Sequence, residues 1–151
     1  MNTRYSTADA TTLQNTTNKF SHSAELAGRI LLVAIFLLSG LGKLAAYDQT
    51  AGYMDAMGVP GVLLPLVIGF EVIAAIAIII GWKIRAFSLL LAGFTVLSGA
   101  IFHSNFADQI QMILFLKNIA IAGAFLLLFV NGAGKFSLDA RKVGVTDKHQ
   151  S

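Results

Sequence analysis

Of the chain's 151 residues 56% are hydrophobic and only 13% are charged, about half the charge of an ordinary soluble domain. No large water-soluble domain fits that composition, and the length allows one domain. The chain has no cysteine, which excludes a CxxC redox centre, a disulfide relay or a thiolate metal site within it.

Residues 1–24 are polar, rich in Thr and Asn, and lack an apolar h-region, so they predict a disordered tail rather than a cleavable signal peptide. The membrane domain is expected over 25–138, and a second polar tail over 139–151. Four stretches approach the ~20 residues that a bilayer core demands. They run about 27–46, 62–82, 86–102 and 110–130. Together they predict an all-α integral membrane protein, a bundle of four transmembrane helices. Arg29 lies about one turn inside the first span, where its long side chain is expected to snorkel to the headgroups.

The first connection is the longest. Its Asp48–Met57 stretch has helical spacing and closes with Gly58-Val59-Pro60, which predicts a short interfacial helix, or a cap over the bundle mouth. The second connection is so tight that spans two and three should be antiparallel neighbours, with Trp82 as an interfacial anchor. Thr95 and Gly99 in span three, and Ala120 and Ala124 in span four, have the small-residue spacing that lets membrane helices approach closely.

The formal net charge of +3 is informative through its placement. Arg4, Lys19 and Arg29 precede or open span one, Lys83 and Arg85 fill the second connection, and Lys135, Arg141, Lys142 and Lys148 follow span four. Asp48, Asp55 and Asp108 occupy the other connections, so the positive-inside rule puts both termini and the second connection in the cytoplasm. The basic balance is explained by that bias, and no nucleic-acid partner is read from it.

Polar residues interrupt the apolar runs. Glu71 lies roughly 13 Å into span two and Lys117 roughly 10 Å into span four, counted from the same face at ~1.5 Å per residue. Asn118 lies one residue deeper, while Lys43 and His103 end spans one and three on that side. The matched depth predicts a Glu71–Lys117 pair. As architecture, that pair fixes helix register, with Asn118 bridging helices and Lys43 and His103 snorkelling outward. As a ligand or proton-handling site, Glu71 accepts a proton, His103 relays it, and Lys117 and Asn118 hydrogen-bond a carbonyl oxygen such as a quinone presents. No metal site is expected, because no second His, Cys or suitably spaced carboxylate accompanies His103.

The order of these motifs resembles the DoxX family of small bacterial membrane proteins, nearest its short YphA/YqjF-type members. The resemblance rests on Arg29-Ile30-Leu31-Leu32, Ser39-Gly40-Leu41-Gly42-Lys43, Gly58-Val59-Pro60, Glu71, and Phe115-Leu116-Lys117-Asn118-Ile119-Ala120. Gly132-Ala133-Gly134 and Ser137-Leu138-Asp139 complete it. It implies a four-helix inner-membrane protein in a family associated with a thiosulfate:quinone oxidoreductase and with redox-stress complexes. Most members have no established activity, and the chain has no nucleotide-binding or flavin motif of its own.

The first functional expectation is therefore an accessory membrane subunit in a quinone-linked redox or envelope-stress system. It would hold no intrinsic cofactor beyond a bound quinone and would partner a soluble or membrane oxidoreductase. The alternatives are a small-molecule or proton-coupled permease-like protein, and a structural anchor that recruits a partner. Self-association into a homo-oligomer stays open.

Overall fold

The computed structural model describes the backbone of residues 7–140 and the side chains of residues 21–140. All regular structure among these is helical: α1 (Thr7–Ala45), α2 (Tyr47–Ala56), α3 (Leu64–Ile80), α4 (Ile84–Phe102) and α5 (Gln109–Asn131), with a 3₁₀ turn at Gly61–Leu63 before α3. Four segments are long and apolar enough to cross a membrane: Ser21–Ala45, Gly61–Ile80, Ile84–Phe102 and Gln109–Asn131. They match the spans read from hydropathy to within a few residues, except at the start of the first.

Within the stretch 1–24 expected as a tail, α1 is helical from Thr7 onward. A helix nucleated in the membrane extends one residue at a time without a new nucleation cost, so polarity alone does not end it. Residues 1–6 and 141–151 lie outside the described residues. The folded part also reaches past the expected boundary at 138. Asp139 donates its backbone N–H to Gly81 O at 3.0 Å, and its carboxylate accepts the N–H groups of Lys83 and Ile84 at 2.9 Å each.

Local chemistry explains where the helices start and stop. Both α2 and α3 end in a left-handed glycine, Gly58 at φ 80° and Gly81 at φ 70°. In each case the following residue bonds back in a Schellman pattern, Val59 N–H to Met54 O and Trp82 N–H to Ala77 O, both 2.9 Å. Pro65 stands in the first turn of α3, where a missing N–H costs nothing. Asp55 accepts the Gly61 N–H at 2.7 Å, tying α2 to the entry of α3. Asp108 caps α5 through the Ile110 N–H at 2.8 Å.

The bundle is built from two principal helix pairs, α1 with α3 and α4 with α5. α3 and α4 are neighbours as the short connection requires, joined by Phe70 and Phe94 with ring centroids 5.1 Å apart. Phe36 and Phe125, 5.5 Å apart, join α1 to α5. The main core gathers Val33, Phe36, Ala74, Ile78, Leu91 and Phe125, and a second cluster of Met54, Leu64 and Ile68 lies under α2. Leu31, Leu38, Leu66, Leu127 and Val130 face outward, as helices with a lipid-facing side require.

The small-residue reading holds for α4, where Thr95 and Gly99 are buried. It is corrected for α5: Ala120 is exposed and Ala124 only half-buried, and the helix packs through Ala122 and Phe125 instead. A four-residue spacing identifies a face, but not which face the bundle uses.

Arg29 is also corrected. It does not snorkel outward but is 3% exposed, with its guanidinium donating to Ile78 O at 3.3 Å and to Phe136 O. α1 extends so far toward the N-terminus that Arg29 lies beside the end of α3 rather than at a helix terminus. Through these bonds the start of the first span, the α3–α4 connection and the segment after α5 meet on one face of the bundle. The opposite face carries α2 and the α4–α5 connection.

Candidate functional site

Between the main core and the cluster under α2 the bundle leaves a cavity of about 390 Å³. Its walls come from α1, α2, α3, α4 and α5, and most of them are apolar, including Ile35, Phe36, Tyr53, Phe94 and Phe102. Lys43, Glu71, His103, Lys117 and Asn118 all line it, so the five polar residues singled out by the sequence meet at one cavity. Ser39, Thr95 and Ser98 add hydroxyl groups that depth and charge counting had not marked.

The pairing within this group differs from the expected one. Glu71, 3% exposed, is held by Lys43 rather than Lys117. Lys43 Nζ lies 2.7 Å from each Glu71 carboxylate oxygen and also donates to Ser39 Oγ at 2.5 Å. Ser39 and Lys43 are four residues apart on α1, so both reach α3 from one helix face. Equal depth puts Glu71 and Lys117 in one layer, but α3 packs on α1 while α5 packs on α4, and the packing decides the partner.

Two glycines bring the helices close at this layer. A Cβ on Gly40 would meet Val72 Cγ2 at 3.0 Å and Glu71 Oε2 at 3.7 Å, so α1 can lie against α3 beside the carboxylate. A Cβ on Gly99 would meet Asn118 Cβ at 3.1 Å, which lets α4 seat directly on Asn118. Glycine at either position is read most directly as an allowance for helix contact.

Lys117 stands apart. It is exposed along the cavity wall, and no carboxylate pairs with it among the described residues. A cation at membrane depth without a protein partner is expensive to hold. His103 does not snorkel outward either; its Nδ1 shares a 2.8 Å hydrogen bond with Gln111 Oε1, so α4 is latched to α5 beside the cavity. On the α2 side, Tyr53 stacks on Phe102 with centroids 5.6 Å apart, closing that part of the wall with two rings.

Chemically this is an apolar chamber with a few polar groups, the composition typical of small-molecule sites of ~300–1,000 Å³. It offers one neutralised ion pair, one free ammonium, an amide and an imidazole. Residues 24–104 match the family model described as DoxX. The chain belongs to the DoxX family. It is 46% identical over 114 residues to the inner membrane protein YqjF of Escherichia coli K12, covering 76% of this chain and 88% of that protein. It is also 39% identical over 123 residues to the inner membrane protein YphA of the same organism, covering 77% of this chain and 88% of that one. No solved structure matches the chain. Family membership and the four spans make it a multi-pass inner-membrane protein.

Proposed function

We propose that this DoxX-family protein is an accessory membrane subunit that holds a quinone-type ring in the central cavity and serves a redox or envelope-stress system. The observation that carries the reading is the cavity of about 390 Å³, which is lined by Lys117, with no carboxylate partner among the described residues, and by the amide of Asn118. Both are donors suited to a ring carbonyl oxygen, and Phe36, Tyr53, Phe94 and Phe102 supply flat apolar surface for the ring.

The Lys43–Glu71 pair has a different task in this reading. Its charges satisfy each other, so it fixes α1 against α3 and shapes one wall. An oxidoreductase partner supplies the electron transfer, because the chain itself has no cysteine.

A photoreactive naphthoquinone tests the reading. Labelling should map to peptides of α4 and α5 that line the cavity, and excess ubiquinone or menaquinone should suppress it. Labelling spread over the lipid-facing residues, unaffected by competitor, would reject it. Co-purification of an oxidoreductase from membranes checks the accessory role separately.

A further inference from the structure

The charges lining the cavity do not cancel. Lys43, Tyr53, Glu71, His103 and Lys117 are its titratable side chains, and Tyr53 is a neutral phenol that stacks on Phe102. Glu71 is saturated by Lys43, which takes both of its oxygens, and the Ser39 hydroxyl braces the lysine. That pair is neutral as a unit. His103 is engaged through Nδ1 with Gln111. Among the described residues Lys117 is left as one surplus cation on a wall that is otherwise largely apolar.

A neutral carbonyl gives an ammonium only an ordinary hydrogen bond, whereas an anionic oxygen gives a charge-assisted one about twice as strong. Beside a largely apolar wall and at membrane depth the charge-assisted bond gains further, because few other polar groups there can satisfy the ammonium. A ligand with one negative oxygen therefore offsets the cost of holding Lys117 at this depth, and a second negative charge would find no partner.

Resting on the ring-site reading above, we infer that the cavity selects a ring carrying one ionised hydroxyl, of the phenolate or enolate type, over the neutral ring. The O⁻ faces Lys117 and the ring lies among Phe36, Tyr53, Phe94 and Phe102. The ligand class is thus an acidic hydroxylated quinone or phenol, its ring held by apolar contact and its neutral oxygen within the reach of the Asn118 amide.

The test uses the full chain in lipid nanodiscs and two probes: a hydroxynaphthoquinone that is ionised at neutral pH, and its methyl ether, which carries no charge. The wild type should bind the anion at least about tenfold more tightly, a gap of about 1.4 kcal/mol. In Lys117→Gln the ratio should fall to about one, while Lys117→Arg should preserve the preference. Equal binding of both probes to the wild type overturns this inference and leaves the ring site standing. Failure of both probes to bind removes the ring site and this inference with it. If Lys117→Gln does not fold, the wild-type ratio and Lys117→Arg still decide: loss of the preference in a folded arginine variant counts against it.

Discussion

Lys43 reaches across from α1 to place its ammonium 2.7 Å from both carboxylate oxygens of Glu71 on α3. Two helices are thereby fixed in register at one layer of the bundle. Removing one member leaves a buried charge without its counterpart, so Lys43→Met should cost about 3–5 kcal/mol. The matched double replacement Lys43→Met with Glu71→Leu should cost far less. Thermal unfolding in detergent compares the three chains, and a double mutant as unstable as the single one would show that the unpaired carboxylate is not what destabilises Lys43→Met.

The left-handed turn after α3 should be intolerant of any side chain. Gly81 sits at φ 70°, and a Cβ there would collide with Ser137 Cβ and lie 2.7 Å from the Arg29 guanidinium. Gly81→Ala should destabilise by more than about 2 kcal/mol, combining backbone strain with displacement of the docked segment. Gly42→Ala is the control: nothing lies within 4 Å of its added methyl, and a helix interior gains up to about 1 kcal/mol from the change. The contrast is read from melting temperatures in one detergent.

Asp139 acts as the N-cap of a helix that lies far from it in sequence. Its carboxylate accepts two backbone N–H groups at the start of α4, one of them from Lys83, which is held at a left-handed φ of 44°. Asp139→Ala should cost about 1–2 kcal/mol, the range for a lost cap. Hydrogen exchange should localise the change, with faster exchange at Lys83 and Ile84 and little effect in the middle of α4. Uniformly faster exchange throughout α4 would contradict the capping role.

Much of this molecule was legible before any geometry. Hydropathy gave the spans because a bilayer demands a fixed apolar length, and the Gly58-Val59-Pro60 ending announced α2. The polar residues that meet at the cavity were recognisable because a charge in an apolar run needs a reason. Their pairing was not. Depth along a helix is readable from residue counting, but the azimuth around it and the choice of neighbour come from packing, and Glu71 turned to Lys43 for that reason. Arg29 failed similarly: its position within the span was right, while its target, the carbonyl groups of Ile78 and Phe136, lies 49 and 107 residues away. Ser39 carried a local signal that was available, since a hydroxyl four residues before Lys43 shares its helix face.

From the charge distribution we propose that the face shared by the α3–α4 connection and the Asp139 segment is cytoplasmic. The natural chain has no cysteine, so single cysteines report without background. In intact cells a membrane-impermeant thiol reagent should label Asn105→Cys on the α4–α5 connection and spare Lys135→Cys; permeabilised cells should label both. The reversed pattern would invert the topology and put the cavity in the opposite half of the bilayer.

The central claim is that the cavity holds a lipophilic ring at Lys117. Its most direct measurement is the identity of the small molecules that stay with the protein through gentle purification, determined by mass spectrometry for the wild type and Lys117→Met. A quinone should be retained by the wild type in near-stoichiometric amount and lost from a variant that remains folded and monodisperse. Quinone absent from both, or retained equally by both, would contradict it.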